Sequence, residues 1–258
     1  MPNIIVCYKW VLDESDIRIN SDLSLDMSRA KKKISEYDKN AIEIGTQIYE
    51  KDGGTYHAVS YGTADVDKSI QDALSRGPEE AIWVKDDNAG DADAYVTANC
   101  LAGAIKKVGA FDIVLCADSS ADVSNQQVPA RLAKKLGVPV VTNIIKMEVT
   151  ADGVAVVRRM DDVLEELLVT GPAVYTVLPE IAQPRFPSIK QLMGAKKKPK
   201  TEVPVAELGL SEGEITPKSK TVGLKGYVAT RKNIMFKDGT VEEIAKTVAE
   251  HLAKDGVL

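Results

Sequence analysis

Cysteine and histidine are scarce in this sequence, which limits the chemistry that its own side chains can perform. The 258-residue chain contains three cysteines and two histidines. Cys7, Cys100 and Cys116 are isolated in apolar segments, a pattern that favours buried, reduced thiols. The cysteines and histidines lack the paired spacing of a zinc site, and His57 and His251 suggest no catalytic triad. We therefore assign no metal ligand and no catalytic residue.

The glycine-rich motifs that commonly bind nucleotides are also missing. The first strand-like segment is not followed by GxGxxG, and GxxxxGK[ST] does not occur in the chain. No Ser–His, Cys–His or paired-carboxylate arrangement indicates a nucleophile with its base. These absences favour a protein that holds a nucleotide or cofactor over one that transfers groups with its own side chains.

Long apolar runs and an excess of positive charge are absent as well. The chain has no run of roughly 18 apolar residues, the length that a transmembrane helix needs. The segment Met1–Val6 enters an apolar run without a basic region, so we predict no signal peptide and a cytoplasmic protein. The formal net charge of -5 argues against nucleic acid as the main partner.

Strand-like and helical patterns alternate over the first half of the chain. Apolar runs begin near Asn3, Thr55, Ala81, Asp112 and Val138, and segments of helical period lie between them. This alternation predicts an α/β fold with a doubly wound, mostly parallel sheet. Ligands of such sheets bind beyond the carboxyl ends of the strands, so the loops after the first, second and fourth strands are the first candidate sites.

The second half of the chain has a different pattern. Strand-like runs at 145–150, 154–158, 164–170 and 173–177, with a turn signal at Asp152-Gly153, predict an added β-meander. Six of the eleven prolines lie between 178 and 217, where periodicity is lost. We expect a long extended arm without regular elements there, because proline suppresses them.

The C-terminus regains a helical pattern. Thr240-Val241-Glu242-Glu243 has the form of a capping box, and apolar residues at helical spacing follow it. At about 150 residues per domain, the length allows one to two domains. We divide the chain into a nucleotide-binding α/β domain with its meander, 1–177, and a partner-wrapping arm with the C-terminal helix, 178–258.

The loop after the fourth strand is the most informative local segment. Residues 116–127 are small and polar, and a helical pattern follows them. Ser124-Asn125-Gln126-Gln127 could form a capping box, and a helix N-terminus suits a phosphate group. A solvated loop with an ordinary helix cap explains the same residues equally well.

A resemblance to one family rests first on residues 183–198, QPRFPSIKQLMGAKKK, which join a proline–arginine–aromatic step to a methionine, a small residue and a lysine run. This segment resembles the beta subunit of electron-transfer flavoproteins. Val6–Lys9, Tyr37–Glu43, Ala73–Gly77 and Ser124–Gln126 resemble further segments of that family, in the same order. The similarity covers nearly the whole chain.

The resemblance implies an adenine nucleotide alpha hydrolase-like fold and a place in a heterodimer. In the family, an alpha subunit holds the FAD that takes electrons from flavin-dependent dehydrogenases, and the beta subunit binds AMP in most members. It implies cofactor-binding residues at Cys7, Tyr8, Lys9, Ser35, Asp38, Tyr61, Cys116, Ala117, Asp122, Val123, Ser124, Asn125, Gln126 and Gln127. It also implies a recognition loop, with Ile189 as its apolar anchor, and partner-binding residues Arg185, Ile189, Met193, Lys196 and Lys197.

Two alternatives stay open. In electron-bifurcating members a second FAD replaces AMP and oxidises NADH. Those members usually carry Asp-Gly-Asp-Thr-Ala-Gln where this chain has Asp122-Val123-Ser124-Asn125-Gln126-Gln127, which favours AMP. A stand-alone adenine-nucleotide-binding protein is the alternative from a different class, and it leaves the arm unexplained.

Overall fold

A nine-stranded sheet lies at the centre of the fold, in a computed structural model that describes residues 1–257. The strands of the chain are β1 (Asn3–Cys7), β2 (Trp10–Leu12), β3 (Arg18–Ile19), β4 (Leu25–Asp26), β5 (Lys32–Ile34), β6 (Thr55–Gly62), β7 (Glu80–Lys85), β8 (Ile113–Ala117), β9 (Val140–Thr150), β10 (Gly153–Met160), β11 (Val163–Val169), β12 (Ala173–Val177) and β13 (Lys200–Pro204). The helices are α1 (Glu36–Asp52), α2 (Asp67–Ser75), α3 (Ala94–Val108), α4 (Val128–Leu136), α5 (Ile189–Ala195), α6 (Glu212–Ile215) and α7 (Val241–Lys254).

The order of the strands confirms the doubly wound fold. The sheet runs β11-β10-β9-β12-β8-β1-β6-β7-β13, and its neighbours from β9 to β13 are all parallel. Apolar residues of α1 and α2 pack on one face of the sheet, and those of α3 and α4 pack on the other. The chain therefore winds in opposite directions from β1, which is the arrangement that alternating strands and helices predicted.

The predicted meander is confirmed. Strands β9, β10 and β11 pair antiparallel in sequence order, and the β9–β10 hairpin turns at the predicted Asp152-Gly153 step. The runs predicted at 138–141 and 145–150 form one long strand, β9, which begins parallel to β12 and continues into the hairpin. Asn143 has a positive φ of 60°, and the register with β12 shifts nearby. A local irregularity thus lets one strand pair in parallel with β12 and antiparallel with β10 in the same sheet.

The expectation that residues 178–217 form no regular elements is wrong. This segment contains α5, β13 and α6, and β13 adds a parallel strand beside β7 at the edge of the sheet. Pro199 precedes β13 and Pro204 ends it, so both prolines border the strand. The many prolines wrongly suggested that no strand forms here. An edge strand pairs on one side only, so it needs backbone N–H donors on that side alone and tolerates proline.

The contacts of the chain divide it into two compact units. The first comprises Met1–Arg18 and Asp26–Leu224, and the second comprises Ile19–Leu25 and the chain from Lys225 onward. In the second unit, the Gly226 N–H donates to the Leu23 carbonyl at 2.8 Å. Its helix α7 begins with the predicted capping box, in which Thr240 and Glu243 cap each other. The predicted division into a nucleotide-binding part, 1–177, and a partner-wrapping part, 178–258, is a division by function and stays a prediction.

Within residues 1–257, no helix combines the length and apolarity that a membrane crossing requires. The same residues contain no cluster of three or more His, Cys, Asp or Glu side chains that could hold a metal ion.

We expect Ile70→Ala to lower the free energy of unfolding by about 2–5 kcal/mol, because Ile70 is buried between α2 and the sheet. The matched control is Leu168→Ala on β11, where the side chain is 55% exposed and little buried contact is lost. Urea unfolding of both full-length variants measures the difference. Equal stabilities for the two variants would show that the α2 layer is packed loosely.

Candidate functional site

The carboxyl ends of β1 and β8 form the point where the strand order reverses. The two strands are neighbours, yet the chain leaves β1 toward β6 on one side and leaves β8 toward β9 on the other. Such a reversal opens a crevice between the loops that follow the two strands. Lys9 follows β1 here, and residues 118–127 follow β8. The loop after β6 lies one strand further along the sheet.

The first turn of α1 binds to both of these loops. The Lys9 backbone N–H donates to Asp38 Oδ2 at 2.8 Å, and the Ala121 N–H donates to Ser35 Oγ at 3.1 Å. Ser35 and Asp38 are both buried. Buried polar groups need partners, so these contacts fix the position of α1 relative to the crevice.

Burial dominates the electrostatics of Asp38. It raises the pKa of the carboxyl group to about 7, against the opposing effect of the N–H donors and the Lys9 charge. The nearby Asp122 charge raises this pKa further. Asp38 is therefore a structural carboxyl group, turned inward, whose ionisation changes near neutral pH.

A salt bridge crosses the mouth of the crevice. Lys9 Nζ lies 2.6 Å from Asp122 Oδ2, and both side chains are partly exposed. Burial opposes the ionisation of Asp122, but hydrogen bonds from Lys9 and Ser120 outweigh it and lower the pKa. Lys9 is thus a solvent-accessible cation just after the carboxyl end of β1.

The loop of residues 118–127 is held in an uncommon conformation. Ser124 and Gln126 have positive φ angles of 47° and 55°, which non-glycine residues seldom adopt. The Gln126 side chain donates to Asp118 Oδ2 at 2.5 Å, and the Ser124 hydroxyl donates to the Ser120 carbonyl at 3.0 Å. Backbone strain of this kind persists only where the surroundings enforce it.

The predicted capping box from Ser124 to Gln127 is wrong. Helix α4 begins at Val128, Gln127 is its N-cap, and no side chain caps its first turn. Ser124 instead bonds within the loop, and Gln127 Oε1 accepts from Arg131. The first turn of α4 consequently keeps backbone N–H groups without a side-chain partner, although Pro129 removes one donor.

The two cysteines of the predicted set lie in the sheet itself. Cys7 and Cys116 directly follow the paired residues Val6 and Leu115 on neighbouring strands, and both are buried free thiols. The neighbouring Cys7 thiol and burial raise the pKa of Cys116 well above its usual value. The pair consequently packs into the core of the α3–α4 face and supplies no ready nucleophile.

Two predicted residues direct their side chains elsewhere. The Tyr8 hydroxyl bonds to Ser69 Oγ at 2.9 Å on the α1–α2 face, and Tyr8 is buried, so only its backbone borders the crevice. The Tyr61 hydroxyl donates to Asp86 Oδ2 at 2.8 Å, beside the core of the α3–α4 face. Burial and the Asp86 hydrogen bond raise the pKa of Tyr61.

The structure brings most of the remaining predicted residues to one crevice. Lys9, Ser35, Asp38 and Asp122 are linked by direct contacts, and Ala117 is the last residue of β8. The other predicted residues of the same loop are exposed, as is Asp122: Val123, Ser124, Asn125, Gln126 and Gln127. Asp118, which accepts a hydrogen bond from Gln126, was not among the predicted site residues. Its position directly after β8 would have indicated it.

The predicted partner-binding residues lie at a different place. Ile189 and Met193 on α5 are 81% and 59% exposed, and Lys196 and Lys197 are exposed directly after it. An open cavity of about 460 Å³ beside this segment is lined by Lys197, Lys198 and residues that begin β6 and β7. This is the amino end of the sheet, opposite the crevice. Its mixed charge, with Glu79 and Glu80, makes it a poor match for a phosphate.

We predict that Asp38→Asn stabilises the protein, relative to wild type, progressively more as the pH rises from about 4.5 to 8. The folded chain holds the Asp38 proton more tightly than the unfolded chain, whose aspartate pKa is about 3.9. The wild type therefore loses stability from this group between about pH 4 and 7, and the variant does not.

The control for this prediction is Asp65→Asn. Lys68 and Lys32 lower the pKa of Asp65 to about 2, so this carboxylate stays ionised across the tested range. Urea unfolding at several pH values should show a constant difference for Asp65→Asn. A constant difference for Asp38→Asn as well would mean that Asp38 titrates normally.

Comparison with known families agrees with the fold and the resemblance. The model of the electron transfer flavoprotein domain matches residues 22–208, which is well over half of the chain and includes α1, the loop after β8 and every strand of the nine-stranded sheet except β1. The chain belongs to the electron transfer flavoprotein family.

Proposed function

We propose that this chain is the beta subunit of a heterodimeric electron-transfer flavoprotein that holds AMP in the crevice between β1 and β8. The observation that carries the proposal is the crevice itself, which lies at the reversal of strand order and is bordered by Lys9 and the start of α4. The family match supports the electron-transfer role.

The geometry of the crevice fits a compact adenylate. An uncapped helix N-terminus offers N–H groups and a positive dipole end to a phosphate. Lys9 supplies a solvent-accessible positive charge 2.6 Å from Asp122, a carboxylate that a phosphate would replace as its partner.

The residues of this chain bind and position, while the redox chemistry belongs to a flavin. The family description names a flavoprotein, and we assign the FAD to an alpha subunit that pairs with this chain. When bound, that flavin takes electrons from a flavin-dependent dehydrogenase and passes them to an acceptor. The buried thiols of residues 7, 100 and 116 agree with a cytoplasmic complex.

We further propose that the segment from 178 onward serves the partners, and that 1–177 serves the nucleotide. The strongest support is an apolar surface on α5 and the turn before it, where Phe186 is 95% and Ile189 81% exposed. Exposed apolar side chains this prominent, next to two exposed lysines, are typical of a docking surface.

The nucleotide proposal predicts that the full-length chain, purified and then denatured, releases about one AMP per chain. Mass spectrometry of the released material identifies it. Lys9→Ala should lower the AMP content or affinity by about tenfold, because a charge-assisted contact is lost. Lys31→Ala, an exposed lysine outside the crevice, is the matched control.

Recovery of FAD in place of AMP would favour the alternative with a second, NADH-reducing flavin, and counting two flavins per heterodimer would support it. Recovery of neither nucleotide would contradict the site assignment.

The docking proposal predicts that Ile189→Ala weakens electron transfer from a flavin-dependent dehydrogenase. Loss of a side chain buried on docking costs about 1.5–3 kcal/mol, so KM for the dehydrogenase should rise about tenfold or more. Nucleotide content should stay the same, because Ile189 is on α5, which packs against α2 and not against the loop after β8. Leu164→Ala, which removes an exposed leucine from β11, is the control; unchanged KM for Ile189→Ala would refute the anchor role.

A further inference from the structure

Helix α1 carries polar residues that face the strap rather than the crevice, where the strap is defined as residues 179–198. The Asn40 side-chain amide donates to the carbonyls of Pro179 and Ala182 at 2.9 and 2.8 Å. Asn40 is buried, and both of its amide hydrogens are used. One side chain of α1 therefore fixes the first turn of the strap through two backbone contacts.

One turn further along α1, a buried carboxylate binds the next part of the strap. Glu43 is only 4% exposed, and its Oε1 accepts from Arg185 Nε at 2.7 Å. Its other oxygen accepts from the Arg185 backbone N–H at 3.2 Å. Glu50 contacts the outer side of the same guanidinium at 3.0 Å but is 52% exposed. The inner pair has a buried carboxylate that would lose its charged partner without Arg185, whereas both members of the outer pair are about half exposed to solvent, which weakens their attraction.

The far end of the strap is held by a lysine. Lys198 Nζ donates to the carbonyls of Leu74, Gly77 and Pro78 at 2.9, 3.2 and 2.6 Å. These carbonyls belong to the C-terminal end of α2 and the turn after it, which a cation stabilises. Strand β13 follows at once and pairs with β7. The strap is thus fixed to the core at both ends.

The residues between these two fixed points form the exposed tip, 186–197. The tip is ordered within itself, because Ser188 and Gln191 form a reciprocal capping box at the start of α5. Phe186, Ile189 and Met193 project from it at 95%, 81% and 59% exposure. An apolar surface fixed before binding loses less conformational entropy when a partner docks.

We propose that Glu43 is a positioning residue for docking: with Asn40 and Lys198, it fixes the strap so that the apolar tip meets a flavin-dependent dehydrogenase in one orientation. Arg185 then acts inward, toward α1, rather than on the partner. This inference rests on the proposed docking function and adds to it the residues that hold the docking surface in place.

The test compares Glu43→Gln with Glu50→Gln in the flavin-loaded heterodimer. Glutamine keeps the shape of residue 43 but removes its charge and turns one acceptor toward the Arg185 donors. The probe is a purified flavin-dependent dehydrogenase of the same organism, reduced by its own substrate and chosen because it reduces the wild-type heterodimer. Hydrogen exchange of 189–195 is measured in parallel.

We expect Glu43→Gln to raise KM for the dehydrogenase by about five- to tenfold, with kcat and nucleotide content unchanged. Exchange should accelerate in the tip and not in the central strands. Glu50→Gln should match the wild type, because its ion pair is exposed. Arg185→Gln should reproduce the effect of Glu43→Gln, and Arg185→Lys should recover part of it.

Unchanged KM for Glu43→Gln, or an equal rise for Glu50→Gln, overturns the positioning role, even where exchange in the tip is faster. Should Glu43→Gln fail to fold, Arg185→Gln and Arg185→Lys decide the question, because residue 185 is half exposed and tolerates substitution. If no flavin-dependent dehydrogenase reduces the wild-type heterodimer, the proposed docking function is wrong as well. Hydrogen exchange of residues 189–195 distinguishes that outcome from a loosened strap, because only a loosened strap exchanges faster in Glu43→Gln than in the wild type.

Discussion

Buried polar side chains on α1 determine how the functional parts of this protein are arranged. Ser35, Asp38, Asn40 and Glu43 are all buried, and each one bonds to a segment outside its own helix. An unpaired polar group at such a position would cost about 1–3 kcal/mol. The two loops of the crevice and the first half of the strap therefore have to take the positions that satisfy this helix.

This arrangement separates two tasks on opposite ends of one sheet. The crevice that we propose for the nucleotide lies at the carboxyl ends of β1 and β8, and Lys197 of the tip lines a cavity at the amino ends of β6 and β7. A dehydrogenase docked at the tip would thus leave the crevice free. In our account, the adenylate stabilises the crevice, the tip binds the electron donor, and the flavin of the alpha subunit carries the electrons.

Much of the fold could be predicted because its signals are local. Apolar periodicity located the helices and strands of the sheet, and the Thr240 capping box and the Asp152-Gly153 turn each depend on a few adjacent residues. The strap was mispredicted because β13 depends on pairing with β7, more than a hundred residues away. Proline content described its local stiffness and gave no information on that long-range pairing.

The same distinction applies to the site. The loop after β8 was located from its composition, whereas the inward direction of Asp38 and the bond from Tyr8 to Ser69 depend on burial that no local pattern encodes. The start of α4 was misplaced because Ser124 bonds within a strained loop instead of capping the helix. No sequence pattern indicated that Glu43 forms a buried ion pair, since a glutamate on a helix is ordinarily exposed.

The most direct test of the central claim is an experimental structure of the chain in complex with its flavin-bearing partner. Our account predicts density for an adenylate between Lys9, the loop 118–127 and the first turn of α4, with its phosphate at the helix N-terminus. An empty crevice, or a nucleotide bound instead in the cavity beside Lys197 and Lys198, would contradict it.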